Sequence, residues 1–538
     1  MRKALLLGCL VGCTQVPAPE SPPETAAVVL YNAQVHTLDP DHPTAVGLRM
    51  AGGVITDVYY DRVPDDLTGK RVDLQGAVAL PGLVDAHGHI EDLGRDMGEL
   101  DLRGTTSVEE VLDRVRERAK TVPEGQWIIG HSWDQNEWPG KAYPSAGALD
   151  VAAPRHKVWL RRISHAAWVN GAVLELAGIG PETVAPEGGE ILREPSGAPT
   201  GILVDKARDL ARPFLPAPTD EQLRGDLARG LGALRDLGLT QTHTMDLPVQ
   251  ALDVLLAMEA AGQVPIRVFV YVGDAWPELE RFLQRPLDTQ GLVQVVGVKL
   301  YADGALGSRS AALLEPYSDG GDTKGLLFQS TQSLAEKVGA VHRAGYQLAI
   351  HAIGDAANRQ VLDVLTPIAS AASRRPRVEH AQILEPSDIQ RFAASGIVAS
   401  VQPIHATSDM GWAVDRIGEE RLVGAYAWRS LIDSGATVVF GSDFPVESAN
   451  PWLGIHAAVT RENIRGEPKD GFIPDQKLTV QQALERFTTA AWEVAGRRGG
   501  QLSPGLPADV SIVDRDPFTV APSELKDIKA LRVFVAGR

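Results

Sequence analysis

The chain has 538 residues, enough for one large domain with a smaller module beside it and too many for a single ordinary core. Its composition, 44% hydrophobic and 22% charged, is that of a soluble globular protein. A formal net charge of −17 excludes a surface built to meet nucleic-acid phosphates, which needs clustered Lys and Arg, and reads as a solubility feature.

In chain order, Arg2 and Lys3 precede a short apolar run over residues 4–12, the pattern of a secretory signal, too short for a lasting membrane span. The only two cysteines, Cys9 and Cys13, lie here. Leu10-Val11-Gly12-Cys13 resembles a bacterial lipobox, with Cys13 as the lipidated residue; Leu6-Leu7-Gly8-Cys9 leaves a shorter apolar run. The other reading is an ordinary cleaved signal with incidental cysteines. Lipidation implies a protein of the bacterial cell envelope, held to the membrane by its lipid anchor alone. Thr14 after the cysteine favours the outer membrane, facing the periplasm. The body then has no cysteine, so no disulfide framework and no thiolate nucleophile. Residues 1–25 are read as signal and disordered tether, the latter rich in Pro, Ser and Glu.

Short alternating runs follow at 28–35, 44–50 and 54–60, with Gly52-Gly53 as a hairpin signal. The far end repeats this texture at 509–513 and 531–535. Residues 26–77 and 497–538 are therefore expected to build one small β-sandwich from both chain ends. Between them, residues 78–496 alternate strand-like and helix-like segments. Eight strands are predicted at 78–90, 158–164, 239–245, 295–302, 346–353, 377–384, 397–405 and 438–445. Helix starts are signalled at Ser107, Thr219 and Thr479, each followed three residues on by Glu or Gln. The pattern predicts an α/β fold, a (β/α)₈ TIM-like barrel, with a doubly wound open sheet as competitor. The stretches at about 91–157 and 165–218 exceed simple crossovers and are read as elaborated loops over the barrel mouth.

The chemistry-bearing residues recur at predicted strand ends. Leu80-Pro81-Gly82-Leu83-Val84-Asp85-Ala86-His87-Gly88-His89 is an apolar strand ending in His-x-His. Residues two apart on a strand point the same way, so both imidazoles can reach one metal. His351, His380 and Asp443 end the fifth, sixth and eighth predicted strands. A single such histidine is more often a core residue satisfied by hydrogen bonds; the joint placement on the face where barrels keep their chemistry favours a metal site. Lys299 ends the fourth strand. Buried beside histidines it could be neutral, ion-paired with Asp303, or converted by CO₂ to an anionic carbamate that bridges two cations. Weaker candidates are His165 and Asp303 as substrate contacts, and Trp133 as a pocket wall or as packing. Arg309 reads as an ion pair and His243 as second to the site or simply buried. His36, His42, His156, His342, His405 and His456 have no motif context and read as structural.

The segments PGLVDAHGHI, VKLYADGALGSRSA, HAIGDAAN, VEHAQIL and VFGSDFPV make the chain resemble the amidohydrolase superfamily, in its amidohydrolase-3 or YtcJ-like branch that includes N-substituted formamide deformylases. The similarity spans about residues 28–538. It implies a metal set of His87, His89, Lys299, His351, His380 and Asp443, with Lys299 carboxylated if the site is binuclear. Neutral imidazoles and carboxylates suit zinc, one or two ions, with iron, manganese or nickel as substitutes. Asp443 is then the general base, taking a proton from water and returning it to the leaving nitrogen of an amide-like small molecule. On the same scaffold the alternatives are a deaminase, or a lactone or carbamate hydrolase. A ligand-binding surface lipoprotein without turnover is disfavoured by the complete ligand set, and no Gly-x-Ser-x-Gly elbow supports a serine hydrolase.

Overall fold

The structure, a computed structural model, describes residues 27–162, 166–186, 189–275, 278–285, 290–370 and 374–538. Cys13 and the leader, and His165, lie outside the described residues. Eight parallel strands form the central sheet: β1 Leu83–Gly88, β2 Leu239–Leu247, β3 Arg267–Val272, β4 Val293–Tyr301, β5 Gln347–Ala352, β6 Arg377–His380, β7 Val398–Val401 and β8 Val438–Phe440. Each pairs with the next in sequence order. The barrel closes where Gly88 bridges Phe444 in parallel and Asp443 N–H donates to the His87 carbonyl at 2.7 Å. A side chain at Gly88 would meet the Phe444 ring at 2.1 Å, so the glycine between the two histidines is what lets the barrel shut.

Two predicted strands need correction. The segment predicted at 158–164 forms Lys157–Arg162, which lies in another sheet, and the third barrel strand is Arg267–Val272. The run 78–90 is two strands. Val78–Pro81 pairs in the sandwich, and only Leu83–Gly88 enters the barrel.

The stretches read as loops, between β1 and β2, instead build a six-stranded mixed sheet. It runs Gly189–Arg193, Pro199–Asp205, Ala166–Val169, Lys157–Arg162, Trp127–Trp133, Leu100–Asp101. Strand periodicity gives the strand and not its neighbours, which is why a buried strand here passes for a barrel strand. Trp133, Trp138 and Trp168 fill the core of this inserted sheet with Leu149, Val158 and Leu160.

Both chain ends do meet in a sandwich. Val54–Tyr59, Gly47–Ala51, Val28–Tyr31 and Lys70–Asp73 form one sheet; Ala530–Phe534, Val510–Val513, Val78–Pro81, Gln34–His36 and Thr44–Ala45 form the other. Leu30, Leu48, Met50, Ile55, Val510, Ile512 and Phe534 are buried between them. Gly52 and Gly53, both at positive φ (60° and 84°), make the two-residue turn joining Gly47–Ala51 to Val54–Tyr59. The capping boxes at Thr219 and Thr479 form as expected. No helix among the described residues is long and apolar enough to cross a membrane.

Candidate metal centre

The C-terminal ends of β1, β4, β5, β6 and β8 bring His87, Lys299, His351, His380 and Asp443 together, with His89 the first residue past β1. Asp443 sits at the middle. Its Oδ1 is 3.1 Å from His89 Nε2 and 3.4 Å from His87 Nε2. Lys299 Nζ is 3.3 Å from the same His87 nitrogen. The His380 ring lies 4.9 Å from that of His87 and 4.5 Å from that of His351. His380 and Asp443 both have left-handed backbone, φ 73° and 61°. Such a conformation costs a non-glycine residue about 1–3 kcal/mol and persists where surrounding structure enforces it. Here it falls on the last residue of β6 and three residues past β8, and presents the side chain to the centre.

Other side chains fix the tautomers. His87 Nδ1 is 2.6 Å from Glu379 Oε2, so that nitrogen carries the proton and donates, leaving Nε2 with its lone pair toward Asp443 and Lys299. His380 Nδ1 donates to Gln402 Oε1 at 2.8 Å, which frees its Nε2 in the same way. Burial, then the nearby Lys299 charge, push His351 down to about 3. Burial, then His351, hold His380 well below the usual histidine value. Burial also lowers Lys299. Burial alone would raise Asp443, but the contacts with His405, His87 and His89 outweigh it and hold the carboxyl well below its usual range. Neutral His351 and His380 beside an ionised carboxylate are donors that suit a divalent transition metal. Two three-residue groups could each hold an ion: His87, His89 and Asp443, and His380, His405 and Asp443.

Glu379 and His405 escape the sequence reading. Glu379 precedes His380 and is fully buried; Arg377 holds it with bonds of 2.8 and 3.0 Å, and also donates to Ser400, Tyr271 and the Ala86 carbonyl. His405, four residues beyond β7, was read as structural. Its Nε2 lies 3.4 Å from Asp443 Oδ2 and its Nδ1 3.4 Å from Glu447 Oε1. The available signal was position, just past a strand end on the same face of the barrel.

The secondary candidates separate. Trp133 is not a pocket wall. It is fully buried in the inserted sheet, stacked on Trp138, with its indole N–H donated to the Leu160 carbonyl at 2.9 Å. Asp303 does not pair with Lys299. It accepts backbone N–H groups from Ala312, Ile353 and Gly354 and lies 3.5 Å from His351 Nε2, so it fixes the loops after β4 and β5. Arg309 pairs with Asp319 at 2.9 Å. His243 is buried mid-strand in β2, 2.9 Å from Arg377.

The profile described as the Amidohydrolase family matches residues 70–538. The YtcJ protein of Bacillus subtilis (strain 168) is 33% identical over 482 residues, 87% of this chain and 90% of its own. The N-substituted formamide deformylase of Arthrobacter pascens is 28% identical over 542 residues, 95% of this chain and 97% of its own. A solved metal-dependent hydrolase from Pyrococcus horikoshii OT3 superposes with a TM-score of 0.79 at 30% identity, covering 92% of this chain and 99% of that one.

Proposed function

The chain belongs to the amidohydrolase family, and from that premise and the site geometry we propose that this hydrolase cleaves a carbon–nitrogen bond, amide or formamide-like, in a small molecule. The observation that carries the proposal is the divided carboxylate of Asp443, with Oδ1 toward His87 and His89 and Oδ2 toward His405. The formamide-cleaving activity named for the Arthrobacter relative, which aligns along nearly its whole length, supports the choice of bond.

In this reading His87, His89, Lys299, His351, His380 and Asp443 hold one or two zinc ions, with Lys299 carboxylated when there are two. A divalent ion so held supplies a Lewis acid and brings the pKa of a coordinated water toward neutrality. Asp443 accepts the proton of the attacking water and returns it to the departing nitrogen. Glu379 and Gln402 keep His87 and His380 in the tautomers that face the centre. The uncharged Lys299 amine favoured by burial is the form that adds CO₂.

Elemental analysis of protein purified without chelator, paired with formate release from an N-substituted formamide, tests the proposal. About two or about one transition-metal ions per chain are expected, the first with a carboxylated Lys299 and the second without. Turnover is expected to vanish on chelation and return with zinc. Metal-loaded protein that cleaves esters but no amide or formamide overturns the bond assignment; no metal and no rebinding overturns the centre itself. For Cys13 the proposal remains a lipid anchor in the cell envelope. Cys13→Ser is expected to move the protein to the soluble fraction, and continued partitioning with membranes rejects the anchor.

A further inference from the structure

The inserted sheet has two unlike faces. Along Trp127–Trp133 and Lys157–Arg162, side chains alternate: Ile128, Val158 and Leu160 join the core beneath helix Val108–Ala119, while Trp127, Ile129, Trp159 and Arg161 point the other way. That second face is only partly covered. It looks across a cleft of about 720 Å³ toward the barrel's helices Ile90–Gly98 and Asp220–Asp236. The volume lies in the range of small-molecule sites, roughly 300–1,000 Å³.

The cleft is apolar on its floor and cationic above it. Six arginines and four carboxylates line it, and Asp92, Asp96 and Asp209 pair with Arg95, Arg161 and Arg212 from just outside. Arg95, Arg161 and Arg229 are each paired with a carboxylate, on Glu91, Glu99 and Asp226. Arg118 and Arg208 each reach only a backbone carbonyl, of Gly98 at 2.8 Å and of Asp205 at 3.0 Å, with no carboxylate within ion-pair distance among the described residues. Burial, then the neighbouring Arg212, disfavour the charge on Arg208 and outweigh the opposing pull of Asp205 and Asp209, so an arriving anion would relieve a standing cost. A guanidinium offers five donors in a planar fork that fits a carboxylate, and Arg208 uses one on protein.

We propose that this cleft is a second small-molecule site, selective for a carboxylate with a flat apolar body, whose anion meets Arg208 while its body lies against Trp127, Ile129 and Leu215. It is separate from the metal centre and does not depend on which bond that centre cleaves.

Calorimetric titration of the metal-loaded full chain with 2-naphthoate tests this. One saturable site is expected. Arg208→Gln should weaken it about tenfold or more, the loss of a charge-assisted bond, with Arg208→Lys intermediate and turnover in the absence of naphthoate unchanged. Because Arg208 is half-exposed, the variant should fold; its unfolding midpoint is the check. Neutral 2-naphthalenemethanol should bind at least about tenfold more weakly than naphthoate. The proposal falls if naphthoate does not saturate, if Arg208→Gln binds it as tightly as the parent, or if chelation alone abolishes binding, which would put the anion on the metal.

Discussion

Beneath the metal centre the barrel interior holds Arg377, Glu379, His243, Tyr271, Gln347 and Ser400, all buried and joined by hydrogen bonds. The inserted sheet, of similar strand content, encloses Trp133, Trp138 and Trp168 among leucines and valines. Each indole there settles its one donor on a backbone carbonyl, of Leu160, Thr105 or Ser145, and nothing charged is needed. A buried ion pair is an expensive way to fill a barrel and is often no more stable than apolar packing. Its presence under β1 and β6 is explained by what Glu379 does for His87, not by what it adds to the fold. The difference teaches where to look for chemistry: in the core that carries polar groups its own packing does not require.

Substitutions in the two cores should therefore fail in different ways. Asp443→Asn should lower turnover about 10²- to 10⁴-fold while most metal is retained; parent-like turnover would remove it as the base. Glu379→Gln should weaken metal affinity about 10- to 100-fold, read by chelator competition, because His87 loses the anionic acceptor that fixes its tautomer. If affinity is unchanged, the buried pair is structural and the contrast between the two cores collapses. Trp168→Ala should cost about 3–5 kcal/mol in denaturant unfolding and leave metal content per folded chain as it was. A loss of metal in that variant would tie the inserted sheet to the centre.

A last effect is one of pH, in chelator-treated protein. Burial alone would lower His405, but hydrogen bonds to Asp443 and Glu447 outweigh it and push it up to about 10. A histidine whose folded value exceeds its unfolded value of about 6.5 contributes stability that is complete below that pH and is lost as pH rises through the folded value. The melting temperature should therefore decline between about pH 6.5 and 10, and His405→Gln should flatten that decline. An identical slope in the variant would mean that His405 is not bound to Asp443.

The cluster was legible because strand-end histidines and an aspartate announce themselves by position: His87, His89, Lys299, His351, His380 and Asp443 come together at one end of the barrel. The sandwich was legible from alternation at both ends. What the residues do not encode locally is partnership. Lys157–Arg162 and Arg267–Val272 are both short buried runs, and only the assembled molecule assigns one to the inserted sheet and the other to the barrel. Trp133 suffered likewise, since an aromatic in a long connection suits a pocket wall as well as a core. Glu379 and His405 act through neighbours distant in sequence, so their pairing with His87 and Asp443 exists only after folding.

The strand that carries His87 begins where the sandwich leaves off. The Leu83 amide donates to Ser511 Oγ at 3.0 Å, across 428 residues of sequence, and Ser511 donates onward to the Gly238 carbonyl just ahead of β2. Val78–Pro81, directly before β1, is paired with Val510–Val513. During synthesis the first barrel strand therefore waits for Ser511, 428 residues later, to leave the ribosome before its entry is pinned. Assembly of the metal-binding end therefore follows Val510–Val513, and a chain that stops before that strand forfeits the anchor of its first histidine, though every metal-facing side chain is present.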